Sequence, residues 1–216
     1  QNKPIRIPIF YGLVKMHKAT ICLRPICSCI NSPTYHASKF LDWKLKKVMT
    51  HGASYTKDSR EILLKLQQHF NLTSQSTLLS ADVVSLYPSI VLEDAYIKIR
   101  IYLNNNTTLP PHEIAFIMDL LIWVMNNNYC KFSDKVFKQI RGVAMGQPCA
   151  VVFAVIYLLQ LEVELLQSIY TPNRPLFFIR FIDDIFAIFK TSSDALSFIT
   201  LYNKLHDSIK LTYDIS

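Results

Sequence analysis

The stretch Phe181-Ile182-Asp183-Asp184-Ile185-Phe186 places two adjacent carboxylates in the middle of an apolar, aromatic run. On either side of the pair, over 176–182 and 185–189, apolar side chains alternate in a pattern typical of β-strands. The stretch therefore predicts a β-hairpin with Asp183-Asp184 as its tight turn. Because Asp is a common turn residue, a solvated hairpin tip is one interpretation of the pair.

A second apolar strand, predicted over 77–84, carries another carboxylate, Asp82, near its end. Three Asp at strand ends can form a site built from oxygen ligands. No His or Cys is nearby in sequence, which favours a hard cation such as Mg²⁺, bound by a few carboxylates, water and substrate phosphate. Two such ions can clamp the attacking and leaving oxygens of a phosphoryl transfer.

The composition indicates a globular protein with a polyanionic partner. The 216 residues are 50% hydrophobic and 18% charged, enough for one sizeable core or two small lobes, and the net charge is +7. A basic excess of this kind suits nucleic acid, although a solvated helix face accounts for part of it between 39 and 47. The basic residues concentrate in the first 65 positions: Lys3, Arg6, Lys15, Lys18, Arg24, Lys39, Lys44, Lys46, Lys47, Lys57, Arg60 and Lys65.

Other features of the composition narrow the class of protein. Five cysteines without a Cys-x-x-Cys pair argue against a disulfide framework and a zinc site, and indicate a reducing compartment. Only four glycines occur, so a glycine-rich phosphate cradle is not expected. The longest uninterrupted apolar run, 149–159, is shorter than the ~20 residues that cross a bilayer, and we expect no membrane span. We expect the chain, which starts at Gln1, to continue at both ends in a longer reading frame.

Helices and strands alternate irregularly along the chain, which predicts an α+β fold with a mostly antiparallel sheet. Ser32-Pro33 and Asp58 with Glu61 are typical helix starts. Further helices are predicted near 93–103, 111–125, 150–167 and 193–207, a hairpin over 129–140 and a last strand over 210–215.

The motifs around the carboxylates resemble those of reverse transcriptases, and in particular those of the Penelope-like retroelement group, which is related to telomerase. The likeness covers nearly the whole chain, and its elements occur in the family order. They are Phe10-Tyr11-Gly12-Leu13-Val14-Lys15-Met16-His17-Lys18, Leu23-Arg24-Pro25-Ile26, Ser32-Pro33-Thr34-Tyr35, Ala81-Asp82-Val83-Val84-Ser85-Leu86-Tyr87, Arg141-Gly142-Val143-Ala144-Met145-Gly146-Gln147-Pro148 and Arg180-Phe181-Ile182-Asp183-Asp184.

The resemblance implies an RNA-directed DNA polymerase with a right-hand fold, with fingers in 1–75 and a palm in 76–216. It places the thumb, and a possible nuclease domain, beyond Ser216. The implied partners are an RNA template, a DNA primer and deoxynucleoside triphosphates. Two Mg²⁺ ions, for which Mn²⁺ can substitute, are the implied cofactors, and the implied location is intracellular, in the nucleus.

By the same resemblance, Asp82, Asp183 and Asp184 are the catalytic metal ligands, with the Val83 carbonyl as an extra oxygen. Tyr87 corresponds to an aromatic residue under the sugar of the incoming nucleotide, where its ring excludes a 2′-hydroxyl. An alternative is that Tyr87, followed by Pro88, only packs at a turn.

Cationic residues and glycines complete the implied site. Arg24 grips the triphosphate through its planar fork. Lys15 and Lys18 compete for the companion role; Lys15 is assigned to the nucleotide and Lys18 to the nucleic acid. Gly146 is assigned to the nucleotide and Gly142 to nucleic acid, because glycine permits close backbone approach. Arg141 is also assigned to nucleic acid.

Two other readings stay open. The usual Ser-Pro and a later Asn after Pro148 are replaced by Ala150-Val151 and Val155, which is compatible with a decayed, nucleic-acid-binding remnant. A two-metal nuclease or phosphohydrolase would use similar carboxylates, but it would not need Arg24, Tyr87 and the 141–148 loop in this order.

Overall fold

The structure is a computed structural model and describes residues 4–16, 21–49, 54–68 and 76–216. The elements in chain order are β1 (Phe10–Val14), β2 (Leu23–Cys27), α1 (Tyr35–Met49), α2 (Ser59–Gln67), β3 (Thr77–Val83), α3 (Leu86–Ser89), α4 (Leu92–Asn106), α5 (Pro111–Asn126), β4 (Tyr129–Phe132), β5 (Lys135–Lys138), α6 (Ala150–Ser168), a 3-10 turn (Thr171–Asn173), β6 (Phe177–Phe181), β7 (Asp184–Phe189), α7 (Ser192–Leu205) and β8 (Leu211–Ile215).

A four-stranded antiparallel sheet with strand order β6-β7-β3-β8 forms the centre of the fold. Alternation along β3 buries Leu79, Ala81 and Val83 on one face and leaves Asp82 exposed on the other. The inner face belongs to the main core. On the outer face, α2 covers Phe177, Ile179 and Ile188 with Ile62 and Leu66, and the β3–β7 end that carries the aspartates stays open. The predicted α+β class and antiparallel sheet are confirmed.

Helix α6 is the centre of the core. It is apolar on nearly all sides and packs against α1 and α4, while α7 packs on the inner face of the sheet. Helix α6 is longer than the uninterrupted apolar run 149–159, since it extends over 19 residues to Ser168. An 18-residue window of the helix has a mean hydropathy of 1.7 and could cross a membrane by length and composition, but 72% of this window is buried inside the fold.

Helix boundaries follow local capping. The Asp58 side chain accepts from the Glu61 backbone N–H at 2.9 Å, as predicted for α2. The apolar residues Ile62, Leu63, Leu66 and Phe70 recur at helical spacing and predict one buried face for α2. Leu63 is nevertheless 62% exposed, and Phe70 lies outside the described residues. Helix α1 begins at Tyr35, later than Pro33, because Ser32 and Thr34 form a buried hydroxyl pair at 3.2 Å in a turn before the helix.

The β1–β2 hairpin contacts the β4–β5 hairpin. Lys131 N donates to Pro8 O at 2.7 Å, and the rings of Phe10 and Phe132 meet edge to face at 5.8 Å. The predicted division at 75/76 falls beside a segment outside the described residues and stays a prediction.

Candidate active site

Strands β3 and β7 bring carboxylates together at one end of the sheet. Their antiparallel register places Asp82 directly opposite Asp184. Both residues are exposed, whereas their neighbours Ala81 and Ile185 are buried in the core. Directly opposed residues have their β-carbons about 4.5–5.5 Å apart, so two like charges face each other here.

The hairpin turn consists of Ile182 and Asp183, one residue earlier than predicted. Phe181 and Asp184 are the last paired residues of β6 and β7, so Asp184 belongs to the strand, where it also pairs with Asp82. Ile182 has a φ of 55°, which primed two-residue turns require and β-branched residues rarely adopt. The Asp183 carbonyl accepts from Val83 N at 3.0 Å, which ties the turn to β3.

Asp82, Val83 and Asp183 line one cleft of about 510 Å³. Four other residues with predicted nucleotide contacts line the same cleft: Lys15, Arg24, Tyr87 and Gly146. Asp184 is not among the lining residues and lies at its side, across from Asp82. The structure therefore gathers an acidic and a basic group of side chains around one space.

The donor set fits a divalent cation that keeps water and binds substrate phosphate. Within the described ranges, no three His, Cys, Asp or Glu side chains form a ready group that could hold a metal ion. The three aspartates thus share one end of the sheet without forming a closed cage. Mg²⁺ does not need such a cage, because it is usually bound through one or two carboxylates with water and phosphate oxygens. Asp82 and Asp183, which both line the cleft, are two carboxylates of this kind.

The electrostatics of the site reflect its crowded carboxylates. Burial raises the pKa of Asp184, and the charge of Asp183 raises it further. Burial and Asp183 also raise the pKa of Tyr87 to about 12, against an opposing effect of Arg24. Tyr87 is therefore a neutral phenol at physiological pH, with Asp183 and Arg24 both close enough to influence it.

Helix α3 presents Tyr87 to the cleft, and its backbone anchors the 141–148 loop. Val143 N donates to Tyr87 O at 2.9 Å. Gly142 has a φ of 68°, and a β-carbon there would lie 2.6 Å from Tyr87 O. Packing and lining the cleft are therefore both true of Tyr87, which is half-buried against the main core and also lines the cleft.

The other end of this loop is held by β2. Cys27 N donates to Met145 O at 2.8 Å. At Gly146, with a φ of 117°, a β-carbon would lie 2.2 Å from the carbonyl oxygen of Cys27. Protein contacts alone thus require glycine at 142 and 146, whatever these residues contact in a substrate complex.

The cationic candidates fall into two groups. Lys15 directly follows β1 and Arg24 is on β2; Lys15 N donates to Cys22 O at 3.0 Å, and both residues line the cleft. Arg141 is exposed and lines two adjoining grooves with Lys138 and Gln139, outside the cleft. Lys18 lies outside the described residues.

Two features of the site were not predicted. Gln147 lines the cleft, is 3% exposed and donates to Thr34 Oγ1 at 3.2 Å, while its Oε1 has no hydrogen-bond partner in the described part of the chain. Behind the hairpin, Arg180 and Glu162 form a buried ion pair. In the sequence, Arg180 is recognisable as a charged residue within an apolar strand, and Glu162 as a charged residue within an apolar helix.

Solved polymerase structures share this fold. The telomerase of Candida albicans in complex with a TWJ fragment of telomeric RNA matches 98% of this chain with a TM-score of 0.66 and 12% identity. The Candida tropicalis telomerase in complex with the same kind of fragment matches 100% with a TM-score of 0.68 and 12% identity. The RNA-dependent RNA polymerase of BmCPV at the elongation state matches 98% with a TM-score of 0.67 and 11% identity.

These matches establish a polymerase fold of the fingers-and-palm kind. The chain spans 43%, 41% and 20% of the three neighbours, respectively, so it corresponds to less than half of each. No protein-family model matches the sequence, and no curated protein does.

Proposed function

We propose that this chain is the reverse transcriptase domain of a Penelope-like retroelement and extends a DNA primer on an RNA template. The observation that carries the proposal is the single cleft in which Asp82 and Asp183 face Lys15, Arg24 and Tyr87. A polymerase fold with carboxylates opposite cations around one cleft suits the transfer of a nucleotide from a triphosphate.

In the proposed reaction, the primer 3′-hydroxyl gives up its proton to solvent water, and its oxygen attacks the α-phosphorus of a deoxynucleoside triphosphate. The new bond is a phosphodiester, the broken bond is that to the β-phosphate oxygen, and pyrophosphate leaves. Asp82 and Asp183, with Asp184 beside them and the Val83 carbonyl, would hold two Mg²⁺ ions, or Mn²⁺ in their place. When bound, these ions supply charge neutralisation at the attacking and leaving oxygens.

The side chains of the cleft orient the substrate. Arg24 and Lys15 neutralise and hold the triphosphate, the first through a planar fork and the second as a point charge. Tyr87 offers a neutral ring surface beside them, and we assign to it the rejection of a 2′-hydroxyl. This assignment carries the choice of DNA synthesis, because the neighbours with this fold include an RNA-synthesising polymerase as well as telomerases.

The remaining parts of the proposal follow from the family resemblance. We place primer-template contacts at Lys18, Arg141 and Gly142, further domains such as a thumb and a nuclease in the same polyprotein, and the site of action in the nucleus. A decayed remnant that only binds nucleic acid, or a two-metal nuclease, are the alternative functions.

Primer extension tests the proposed function against both alternatives. The protein is incubated with a 5′-labelled DNA primer on an RNA template, with Mg²⁺ and either deoxynucleotides or ribonucleotides. We expect extension that depends on deoxynucleotides. Shortening of the primer would indicate a nuclease, and binding without any change in primer length would indicate a remnant.

A further inference from the structure

Arg180 is a fully buried cation directly behind the catalytic hairpin. It lies on β6, its exposed fraction is 0%, and Glu162 on α6 is 1% exposed. The guanidinium holds the carboxylate with two groups, Nε to Oε1 and Nη2 to Oε2, the second at 3.1 Å. Ser54 Oγ also donates to this carboxylate. Burial alone would lower the pKa of Arg180, but the charge and hydrogen bonds of Glu162 outweigh it and raise that pKa.

The other hydrogen bonds of the Arg180 guanidinium go to backbone carbonyls, one in α6 and one in the hairpin turn. Nη2 donates to Val155 O in α6 at 3.3 Å, and Nη1 donates to Ile182 O at 2.8 Å. Because the guanidinium is a rigid planar fork, these bonds set the position of Ile182 O relative to α6.

Ile182 is the residue whose position most needs outside support. Its φ of 55° is costly for a β-branched side chain and persists only where the surroundings enforce it. The carbonyl that Arg180 holds belongs to the peptide group that links Ile182 to Asp183. Arg180 therefore acts on the backbone immediately before a predicted metal ligand, from the sheet face opposite the aspartates.

Helix α6 also begins at the cleft. Ala150 and Val151 line the cleft, and the 141–148 loop leads directly into the helix. Val155 and Glu162, one and three turns further along, are the groups that Arg180 holds. The turn that carries Asp183 and the loop that carries Gly146 are thus both held by one helix.

Stability alone does not account for such a pair. A buried ion pair is often no more stabilising than apolar side chains of similar volume. What an apolar pair could not supply is a donor to Ile182 O.

We propose that Arg180 and Glu162 are positioning residues that hold Asp183 in its metal-binding position from behind the hairpin. The inference rests on the proposed function, since it assigns a role for the pair in metal binding and in the chemical step. It does not involve contact with nucleotide or nucleic acid, because both side chains are closed off from solvent.

The double variant Arg180→Met with Glu162→Leu tests this, because it removes both charges and keeps an apolar filling. The matched control is Lys98→Met with Glu164→Leu, which removes another ion pair of α6, at 2.6 Å, that is partly exposed. In the described residues, the hydrogen bonds of Glu164 go to Lys98 and Gln160 and not to the hairpin. Both are compared with the wild-type chain by thermal melting, Mn²⁺ titration, hydrogen exchange of 181–185 and single-nucleotide extension.

The double variant should melt cooperatively but bind Mn²⁺ about ten- to a hundredfold more weakly, the usual effect of losing groups that orient a metal ligand. Exchange of 181–185 should become faster, and kcat should fall with little change in the KM for deoxynucleotide. The control should match wild type in all three. Wild-type Mn²⁺ affinity, exchange and kcat in the double variant would overturn the inference.

Two other results are also informative: a double variant that does not fold, and a wild-type protein whose Mn²⁺ binding does not depend on Asp183. If the double variant does not fold, Arg180→Lys replaces it. Lysine keeps the charge beside Glu162 but cannot also reach Ile182 O, so this variant should show the same losses. Wild-type behaviour of Arg180→Lys would overturn the inference. If wild type does not bind Mn²⁺, or if Asp183→Asn binds it equally well, the proposed function fails. Exchange of 181–185 then still decides whether the pair holds the turn.

Discussion

In the proposed function, Tyr87 is the side chain of the cleft that we assign to the sugar of the incoming nucleotide. Replacing it with Ala removes the ring and should raise the efficiency of ribonucleotide incorporation relative to deoxynucleotide by about tenfold or more, equivalent to ~1.4 kcal/mol. Tyr87→Phe keeps the ring and should keep the wild-type ratio. The phenol, with its pKa of about 12, is neutral at physiological pH, so this substitution does not change the charge of the site. The ratio of kcat/KM values for matched nucleotides measures this, and an unchanged ratio in Tyr87→Ala would rule out the steric gate.

The partly buried carboxylate of Asp184, next to Asp183, should reduce the stability of the metal-free protein. The pKa of Asp184 is raised in the folded state by burial and by Asp183, so its contribution to stability is present below its unfolded-state pKa and is lost as pH rises through the folded-state pKa. Asp184→Asn should therefore melt at a higher temperature than wild type at neutral pH, with a difference that shrinks toward acid pH.

Thermal melts across a pH series check this prediction. Mg²⁺ should raise the melting temperature of wild type more than that of Asp184→Asn, since a ligand stabilises the state that binds it. Asp134→Asn is a suitable control, because the Asp134 side chain is 99% exposed on the β4–β5 turn. A lower melting temperature for Asp184→Asn at every pH would contradict the idea of mutual repulsion.

At the scale of elements, the 141–148 loop depends on two glycines that touch protein backbone. Gly146→Ala would place a β-carbon 2.2 Å from Cys27 O at a φ of 117°, so β2 or the loop must move. We expect a loss of roughly 1–3 kcal/mol in unfolding free energy. The KM for deoxynucleotide should also rise, because Arg24 on β2 lines the cleft.

Urea unfolding of Gly146→Ala and Gly12→Ala checks this expectation. Gly12 is the matched control, because the nearest atom to its added β-carbon is Leu23 Cδ1 at 3.0 Å, the end of a flexible side chain. Equal midpoints for the two variants would mean that the loop is not held against β2.

The sequence predicted elements better than their junctions. Alternation located β3 and β7 closely, because their inner faces are apolar and their outer faces mixed. Strand β6 was located by its apolar, aromatic run, although its inner face carries Arg180. It missed the turn by one residue, since Ile182 is a poor turn residue by local preference and its positive φ is enforced by Arg180 and by the ladder of β7 with β3. Partners such as Glu162 and Ser54 are far apart in sequence, so no local pattern could predict their contact.

The composition of the site was easier to predict than its geometry. Ordered motifs identified several residues that line the cleft, such as Asp82, Asp183 and Arg24, but not Gln147, and the placement of Asp184 beside the cleft depends on strand register. The need for glycine at 146 comes from a contact with Cys27, more than a hundred residues earlier in the chain.

At the scale of the whole molecule, the fold joins basic and acidic parts of the chain around one space. The N-terminal hairpin contributes the cations and the central sheet contributes the carboxylates, while α6 runs behind both. The cleft therefore combines cations with the most distinctive acidic motif of the chain. Polymerases that make different nucleic acids share this fold, since a fold provides a cleft that single residues adapt.

The central claim is that this cleft performs nucleotidyl transfer through its carboxylates. The most direct test is single-nucleotide extension of a DNA primer on an RNA template, with Mg²⁺, by wild type, Asp183→Asn and the exposed control Asp134→Asn. Loss of a metal ligand should remove several kcal/mol of stabilisation of the transition state, a fall in kcat of about a thousandfold, with primer-template affinity retained. Asp134→Asn should extend like wild type. Equal extension by Asp183→Asn and Asp134→Asn would contradict the account.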